Sequence, residues 1–191
     1  MDEIIPIVII PCHFERRDKL CVTTIKRVDE ALKIARGRAS KEVFFIITGN
    51  VPYEKGAKTL CDLMRSYLVC QGVTDNKIIL GEGVGIYSEA KNVTKQIRKA
   101  FDSSTRFFVV SSDWYFLPGG IIWRYFAHKN GIEASFQRVR GTGGEKTKKL
   151  YRRYAFFVRY AFRFHVGWLL GRLLTFLQQG RKKGFTMDGC G

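Results

Sequence analysis

The chain has 191 residues, of which 46% are hydrophobic and 26% charged. These values suit one ordinary domain with a real core and exclude disordered, collagen-like and low-complexity classes. The formal net charge of +16 points to an anionic partner, which can be a nucleic acid, a lipid surface or a phosphorylated substrate. The excess is local: residues 138–183 carry +12, whereas residues 1–137 are close to ordinary at +5.

Cysteine usage and the N-terminus indicate a cytoplasmic protein. The five cysteines form an odd set without a Cys-x-x-Cys pair, which favours reduced thiols over a disulfide framework or a zinc knuckle. His128 and His165 have no partners at metal-ligand spacing, so no metal site is predicted. No signal peptide is predicted either, because no positive charge precedes a long apolar stretch.

The first half of the chain alternates between strand and helix patterns. The β-branched run over 4–10 predicts a strand buried on both faces. Apolar residues at spacings of three and four predict a helix over 23–35 that ends at Gly37. A second buried strand is predicted over 43–47, followed by a turn and a helix over 57–70.

The second half continues this alternation. Ser88 is expected to cap one helix, and Pro118 fits the first turn of another. The pattern predicts an α/β fold, a sandwich with about five parallel strands and right-handed crossovers. The predicted elements are strands over 77–80, 107–110 and 132–139, and helices over 88–101 and 118–130.

Four polar loops that follow predicted strands define a candidate ligand site. Ligands of open parallel sheets bind outside the carboxyl ends of the strands, at the switch point in strand order. Turn formation alone explains any single Gly or Asn there, so the prediction depends on the convergence of four loops. The candidate ligand-binding residues are Cys12, His13, Thr48, Gly49, Asn50, Glu82, Gly83, Gly85, Ser88, Ser111, Ser112 and Asp113.

Two motifs in the third loop carry possible chemistry. Gly81-x-Gly83-x-Gly85 before a helix can present N–H groups to a phosphate. It lacks the full dinucleotide spacing and a Walker lysine, so a plain flexible turn is the alternative. Glu82 is the best candidate acid, able to accept ligand hydroxyls or act as a base, and a solvated loop glutamate is the competing interpretation.

Two motifs suggest a nucleophile. Cys12 and His13 follow the first strand, but adjacent side chains usually point apart and no third orienting group is identifiable. Ser88-x-x-Lys91 matches a nucleophile motif by letters alone and is interpreted as a helix start.

Several segments of the chain carry a family pattern: 27–32, Thr48-Gly49-Asn50, Met64, Tyr67-Leu68, Gly72-Val73, Ile78, Glu82 and 110–113. Together these segments resemble the family of YdcF, SanA and ElyC over roughly residues 4–140, and the chain is identified as a divergent member. The resemblance implies a three-layer Rossmann-like sandwich, a small-molecule pocket for a nucleotide-like ligand such as S-adenosylmethionine, and a link to cell-envelope metabolism. It adds Asn92, matched with a one-residue shift, to the candidate ligand residues.

The sequence divides into a Rossmann-like domain over 1–144, a basic amphipathic helical segment over 145–183 and a flexible tail over 184–191. The basic segment mixes aromatics with bases, a composition typical of helices that lie on anionic membranes. Packing against the sheet or a second copy, and nucleic-acid binding, are the alternatives. The predicted membrane-binding residues are Arg152, Arg159, Arg163, Trp168, Arg172, Arg181, Lys182 and Lys183.

The resulting hypothesis is a cytoplasmic domain, peripheral on the inner face of the membrane, with a small anionic or nucleotide-like ligand in the strand-end crevice. The alternative is a non-enzymatic binding module whose basic helix docks nucleic acid or a protein partner. The sequence decides neither the substrate nor whether a reaction takes place.

Overall fold

The computed structural model describes residues 4–16, 18–52, 54–101, 106–116 and 119–140. These residues form a five-stranded parallel sheet, four α-helices and a small antiparallel hairpin, which confirms the predicted α/β fold. The elements in chain order are β1 (Ile4–Ile9), β2 (Phe14–Arg16), β3 (Lys19–Leu20), α1 (Val22–Arg36), β4 (Glu42–Ile47), α2 (Leu60–Cys70), β5 (Ile78–Leu80), α3 (Ile86–Ala100), β6 (Arg106–Ser112), α4 (Gly119–Lys129) and β7 (Glu133–Val139).

The strand order of the sheet is β5-β4-β1-β6-β7, and every neighbouring pair is parallel. The chain moves outward from β1 through β4 to β5, then crosses back to β6 and β7 on the other side. This doubly wound order is typical of Rossmann-like domains, and its reversal between β1 and β6 is a topological switch point. The carboxyl ends of these two strands are therefore the first place to look for a ligand site.

The sheet separates two apolar cores. Ile5, Ile7 and Ile9 of β1 pack with α1 and α2 on one face, whereas Val8 packs with α3 and α4 on the other. Because successive strand side chains point to opposite faces, a strand that is apolar at every position contributes to both cores. The uninterrupted apolar run at the start of the chain is thus explained by helices on both faces of the sheet.

The last parallel strand before α4 is longer than predicted. Pairing between β6 and β7 continues through Ser111↔Arg138 and Ser112↔Val139, so both serines are strand residues rather than loop residues. A strand predicted from apolar character alone ends too early here, because backbone pairing continues through the two serines. Pro118, which was expected in the first turn of α4, lies outside the described residues.

The cap of α3 also differs from the prediction. Its N-cap is Gly85, and Ser88 lies within the first turn. The Ser88 hydroxyl accepts a hydrogen bond from the Val84 N–H at 2.9 Å and donates to the Val84 carbonyl at 2.6 Å. Ser88 therefore closes the preceding turn instead of capping the helix.

Helix α2 begins three residues later than predicted because Thr59 caps it. The Thr59 hydroxyl accepts from the Asp62 N–H at 3.0 Å, and the Asp62 carboxylate accepts from the Thr59 N–H at 2.8 Å. These two bonds form a capping box, which satisfies two N–H groups that the helix itself cannot bond.

We expect Thr59→Ala to lower the free energy of unfolding at pH 7 by about 1 kcal/mol. Hydrogen bonds from the Thr59 backbone N–H and from its hydroxyl lower the pKa of Asp62. The substitution removes the hydroxyl bond to the carboxylate, whose contribution is present above the unfolded pKa of about 3.9. That contribution is lost as the pH falls through the folded value. Urea unfolding should therefore show a smaller difference at pH 2.5 than at pH 7. Ser66→Ala, which removes an exposed hydroxyl within the same helix, is the control, and an equal loss in both variants would contradict the capping role.

Candidate functional site

The carboxyl ends of β1, β4, β5 and β6 meet at one edge of the sheet and bring the four predicted loops together. Backbone bonds continue the ladders past the strand ends, from Thr48 N–H to the Ile9 carbonyl at 3.2 Å and from Gly81 N–H to the Ile47 carbonyl at 2.8 Å. The Asp113 N–H likewise donates to the Val139 carbonyl at 3.2 Å. The first residues of these loops are therefore held in place by backbone hydrogen bonds to the sheet.

A buried arginine of α1 lies at the switch point. Arg27 is 1% exposed, and its Nη1 donates to the Ile10 carbonyl at the end of β1 at 2.7 Å. Its Nε and Nη2 donate to Ser112 Oγ at the end of β6, at 3.2 and 2.7 Å. The guanidinium also lies 5.6 Å from the centre of the Trp114 ring. One side chain thus joins the two strands between which the topology predicts a ligand.

Arg27 belongs to the segment 27–32 that resembles the family, but the sequence analysis assigned it no function. The signal was available, since Arg27 falls in the buried stripe that Thr24, Val28 and Ala31 form on α1. A base in an apolar helical stripe is costly to bury without hydrogen-bond partners. Such a residue marks a buried polar site rather than a solvated helix face.

Ser111 and Ser112 are both fully buried. Ser112 accepts hydrogen bonds from Arg27, whereas Ser111 Oγ has no hydrogen-bond partner within the described part of the chain. A buried hydroxyl without a partner costs about 1–3 kcal/mol. Asp113 follows them half-buried, and its carboxylate accepts a bond from the Trp114 N–H at 2.9 Å.

The second loop contributes mainly buried residues that support the site. Thr48 is fully buried, and its hydroxyl donates to the Ile9 carbonyl at 3.4 Å. Gly49 has a φ of 89°, and a Cβ placed there would come within 2.4 Å of Pro11 Cγ, so the first and second loops touch at this glycine. Of the three predicted residues here, Asn50 alone is exposed and available to a ligand.

The third loop is tightly packed against the start of α3. Gly83 has a φ of 113°, and a Cβ there would lie 2.7 Å from the backbone of both Ser88 and Glu89. Glu89, in the first helical turn, is 6% exposed, whereas Glu82 is exposed and Asn92 half-buried. Because a carboxylate in the first turn already interacts with the positive end of the helix, the loop is less suited to a bare phosphate than its glycines suggest.

Two thiols and an imidazole come together at the base of a small hairpin, formed by β2 and β3, that was not predicted from the sequence. Cys12 Sγ lies 2.9 Å from His13 Nδ1, so the expectation that these adjacent side chains point apart is wrong. Cys21 follows the hairpin, and the ligating atoms of Cys12, His13 and Cys21 all lie within 4.8 Å of one another. Thr24 lies between the two cysteines, since its hydroxyl accepts from the Cys12 N–H at 2.9 Å and lies 3.4 Å from Cys21 Sγ.

The two buried cysteines have opposite character. Hydrogen bonding from Cys12, with smaller contributions from His13 and Thr24, lowers the pKa of Cys21 to about 3 against the opposing effect of burial. Burial, reinforced by the charges of Glu89 and Asp62, raises the pKa of Cys61 to about 12. The surroundings therefore favour the thiolate form of Cys21 and the protonated form of Cys61.

Two cavities flank the hairpin. One, of about 240 Å³, lies between the hairpin and helices α1 and α2, and is lined in part by Leu20, Ile25 and Tyr67. The other, of about 410 Å³, lies between Asp18 and residues 56–58 of the loop after β4. Neither lining includes Arg27 or any of the predicted ligand-binding residues.

The predicted membrane-binding residues, from Arg152 to Lys183, lie outside the described residues. Among the helices that are described, none combines the length and the apolar character needed to cross a bilayer.

No protein-family model, curated protein or solved structure matches the chain.

Proposed function

We propose that the chain is a Rossmann-like binding domain of the YdcF/SanA/ElyC type that holds a small nucleotide-like or anionic ligand at the strand-end edge. The observation that carries this proposal is the buried guanidinium of Arg27 between the ends of β1 and β6. Arg27 holds the ends of β1 and β6 together at the switch point, which is the place where the doubly wound topology favours a ligand.

The charges around Arg27 favour a nucleotide-like ligand over a bare phosphate. Glu82, Glu89 and Asp113 all lie at this edge and repel a free anion. The exposed carboxylate of Glu82 and the half-buried one of Asp113, together with Asn50, can accept hydrogen bonds from the hydroxyl or amino groups of a nucleoside. A ligand with several donors and no net negative charge, such as S-adenosylmethionine, suits this arrangement better than inorganic phosphate.

A thermal-shift panel of S-adenosylmethionine, ATP and a sugar phosphate tests the proposal. A ligand at a hundredfold excess over its Kd stabilises the native state by about 2.7 kcal/mol, which raises the Tm of a domain of this size by about 5–10 °C. Asn50→Ala and Glu82→Ala should diminish this shift. Asn76→Ala and Glu133→Ala, which change exposed residues near the amino ends of the strands, should leave it unchanged. No shift with any of the three ligands at millimolar concentration would contradict the proposal.

We further propose that residues 145–183 attach the cytoplasmic domain to the inner surface of the membrane, in keeping with the envelope link that the family resemblance implies. The observation that favours this function is the +12 charge of residues 138–183, which is mixed with Tyr, Phe, Trp and Leu. Bases bind anionic headgroups while aromatic and aliphatic side chains enter the acyl boundary.

Liposome co-sedimentation distinguishes this attachment from its alternatives. The full chain should bind vesicles containing phosphatidylglycerol and bind neutral phosphatidylcholine vesicles weakly, whereas a chain truncated after Arg153, which lacks most of the segment, should bind phosphatidylglycerol vesicles more weakly than the full chain. Equal binding of both chains, or no binding by either, would contradict the attachment. Retention on RNA or DNA without vesicle binding would favour the alternative of a non-enzymatic module that docks nucleic acid, and dimers that are lost on truncation would favour an oligomer interface.

A further inference from the structure

We propose that Cys12, His13 and Cys21 form a binding site for a thiophilic transition-metal ion, with Zn²⁺ as the ion that fits best. The proposal is independent of the proposed ligand function, because it rests on the hairpin that follows β1 rather than on Arg27 and the strand-end carboxylates.

The distances suit one ion shared by three ligands. Tetrahedral zinc with Zn–S bonds of about 2.3 Å and Zn–N bonds of about 2.0–2.1 Å separates two sulfurs by about 3.8 Å, and a sulfur from a nitrogen by about 3.6 Å. The three ligating atoms lie within 4.8 Å of one another, with Cys12 Sγ and His13 Nδ1 at 2.9 Å. Shifts of a few tenths of an ångström to about one ångström bring them to the coordinating geometry.

The surroundings hold the ligands in place. Thr24 accepts the Cys12 N–H, so its own hydroxyl proton is available to Cys21 Sγ at 3.4 Å. Cys21 is also the N-cap residue of α1, where the helix dipole favours a thiolate. Hydrogen bonds of this kind around metal ligands fix their orientation and raise metal affinity.

The donor set and its exposure indicate the kind of site. Two sulfurs and an imidazole select Zn²⁺ or Cu⁺ over Mg²⁺ and Ca²⁺, which prefer oxygen ligands. Cys12 and His13 are half-buried while Cys21 is buried, so an ion can enter from the side of the first two. Among the described residues, the three ligands leave a fourth position for water or another molecule, the arrangement of catalytic rather than structural zinc.

The test uses the full chain, reduced and stripped of metal by chelator, and titrated with Zn²⁺ by calorimetry and with Co²⁺ by absorption. We expect saturable binding of one ion per chain and a thiolate-to-cobalt charge-transfer band. Cys12→Ser, Cys21→Ser and His13→Gln should each weaken binding at least about 100-fold. The matched control is Cys70→Ser, because Cys70 is an exposed free thiol on α2. This substitution should leave zinc binding unchanged.

A second measurement does not depend on the variants folding. Bound Zn²⁺ should protect Cys12 and Cys21 of the wild-type chain from alkylation, as mapped by peptide mass spectrometry, while Cys70 stays reactive. Absence of saturable binding by the reduced chain, binding that survives in Cys12→Ser and Cys21→Ser, or unchanged alkylation of Cys12 and Cys21 would each overturn the proposal.

Discussion

Arg27→Ala is expected to lower the free energy of unfolding by about 3 kcal/mol. The substitution leaves a cavity where a fully buried side chain stood, and it removes the hydrogen bonds that the Ile10 carbonyl and Ser112 Oγ accept from Arg27. Urea denaturation at pH 7 measures the loss. Arg36→Ala, on the exposed face of the same helix, is the control and should change stability by no more than about 0.5 kcal/mol.

A double-mutant cycle shows how much of this loss belongs to the bond with Ser112. Arg27→Met keeps much of the buried volume but removes the donors, and Ser112→Ala removes the hydroxyl that accepts their hydrogen bonds. The double variant should be more stable than the sum of the two single losses predicts, by about 1 kcal/mol. Additive losses, or an Arg27→Ala variant as stable as Arg36→Ala, would contradict the role of Arg27 in joining the two strand ends.

Gly83→Ala is expected to destabilise the protein by about 3 kcal/mol, through two separate costs. The backbone φ of 113° is one that L side chains rarely adopt, and the new Cβ would lie 2.7 Å from the backbone of Ser88 and Glu89. Because those atoms belong to the first turn of α3, relief requires the loop and the helix start to move apart.

Gly56→Ala separates the two costs. Gly56 also has a positive φ, at 80°, but a Cβ there would meet no described atom within 4 Å. We therefore expect Gly56→Ala to lose only the conformational cost, about 1 kcal/mol, in the same thermal or urea unfolding measurement. Equal losses in the two variants would show that the third loop relaxes around the new Cβ. They would contradict the close packing of this loop against the start of α3.

The strands and helices could be predicted because their signals are local. An apolar run such as that of β1 has to be covered on both faces, and the spacing of Val28, Ala31 and Leu32 sets one face of α1. Parallel strands separated by helices then place all the strand-end loops at one edge. The location of the candidate site therefore follows from the sequence once the alternation is recognised.

The interior of the site could not be predicted in the same way. Five of the residues between 14 and 20 are charged, so the short hairpin has no apolar pattern, and the approach of Cys21 to Cys12 depends on that hairpin. Ser111 and Ser112 continue a strand through backbone pairing, which polar side chains do not reveal. The sequence analysis favoured Glu82 as the acid of the site, whereas Glu89 is the carboxylate that is buried among the described residues of this edge. The burial of a residue in the first turn of a helix depends on how the helix packs, which the sequence does not show.

The most direct test of the strand-end site is the amide NMR spectrum of the full chain, recorded with and without ATP and, separately, S-adenosylmethionine. The account predicts that at least one of these ligands shifts the signals of Asn50, Gly83 and Asp113 at the carboxyl edge, and leaves Val73 and Gly131 at the amino edge unchanged. Shifts confined to the amino edge, or no shifts with either ligand at millimolar concentration, would contradict it.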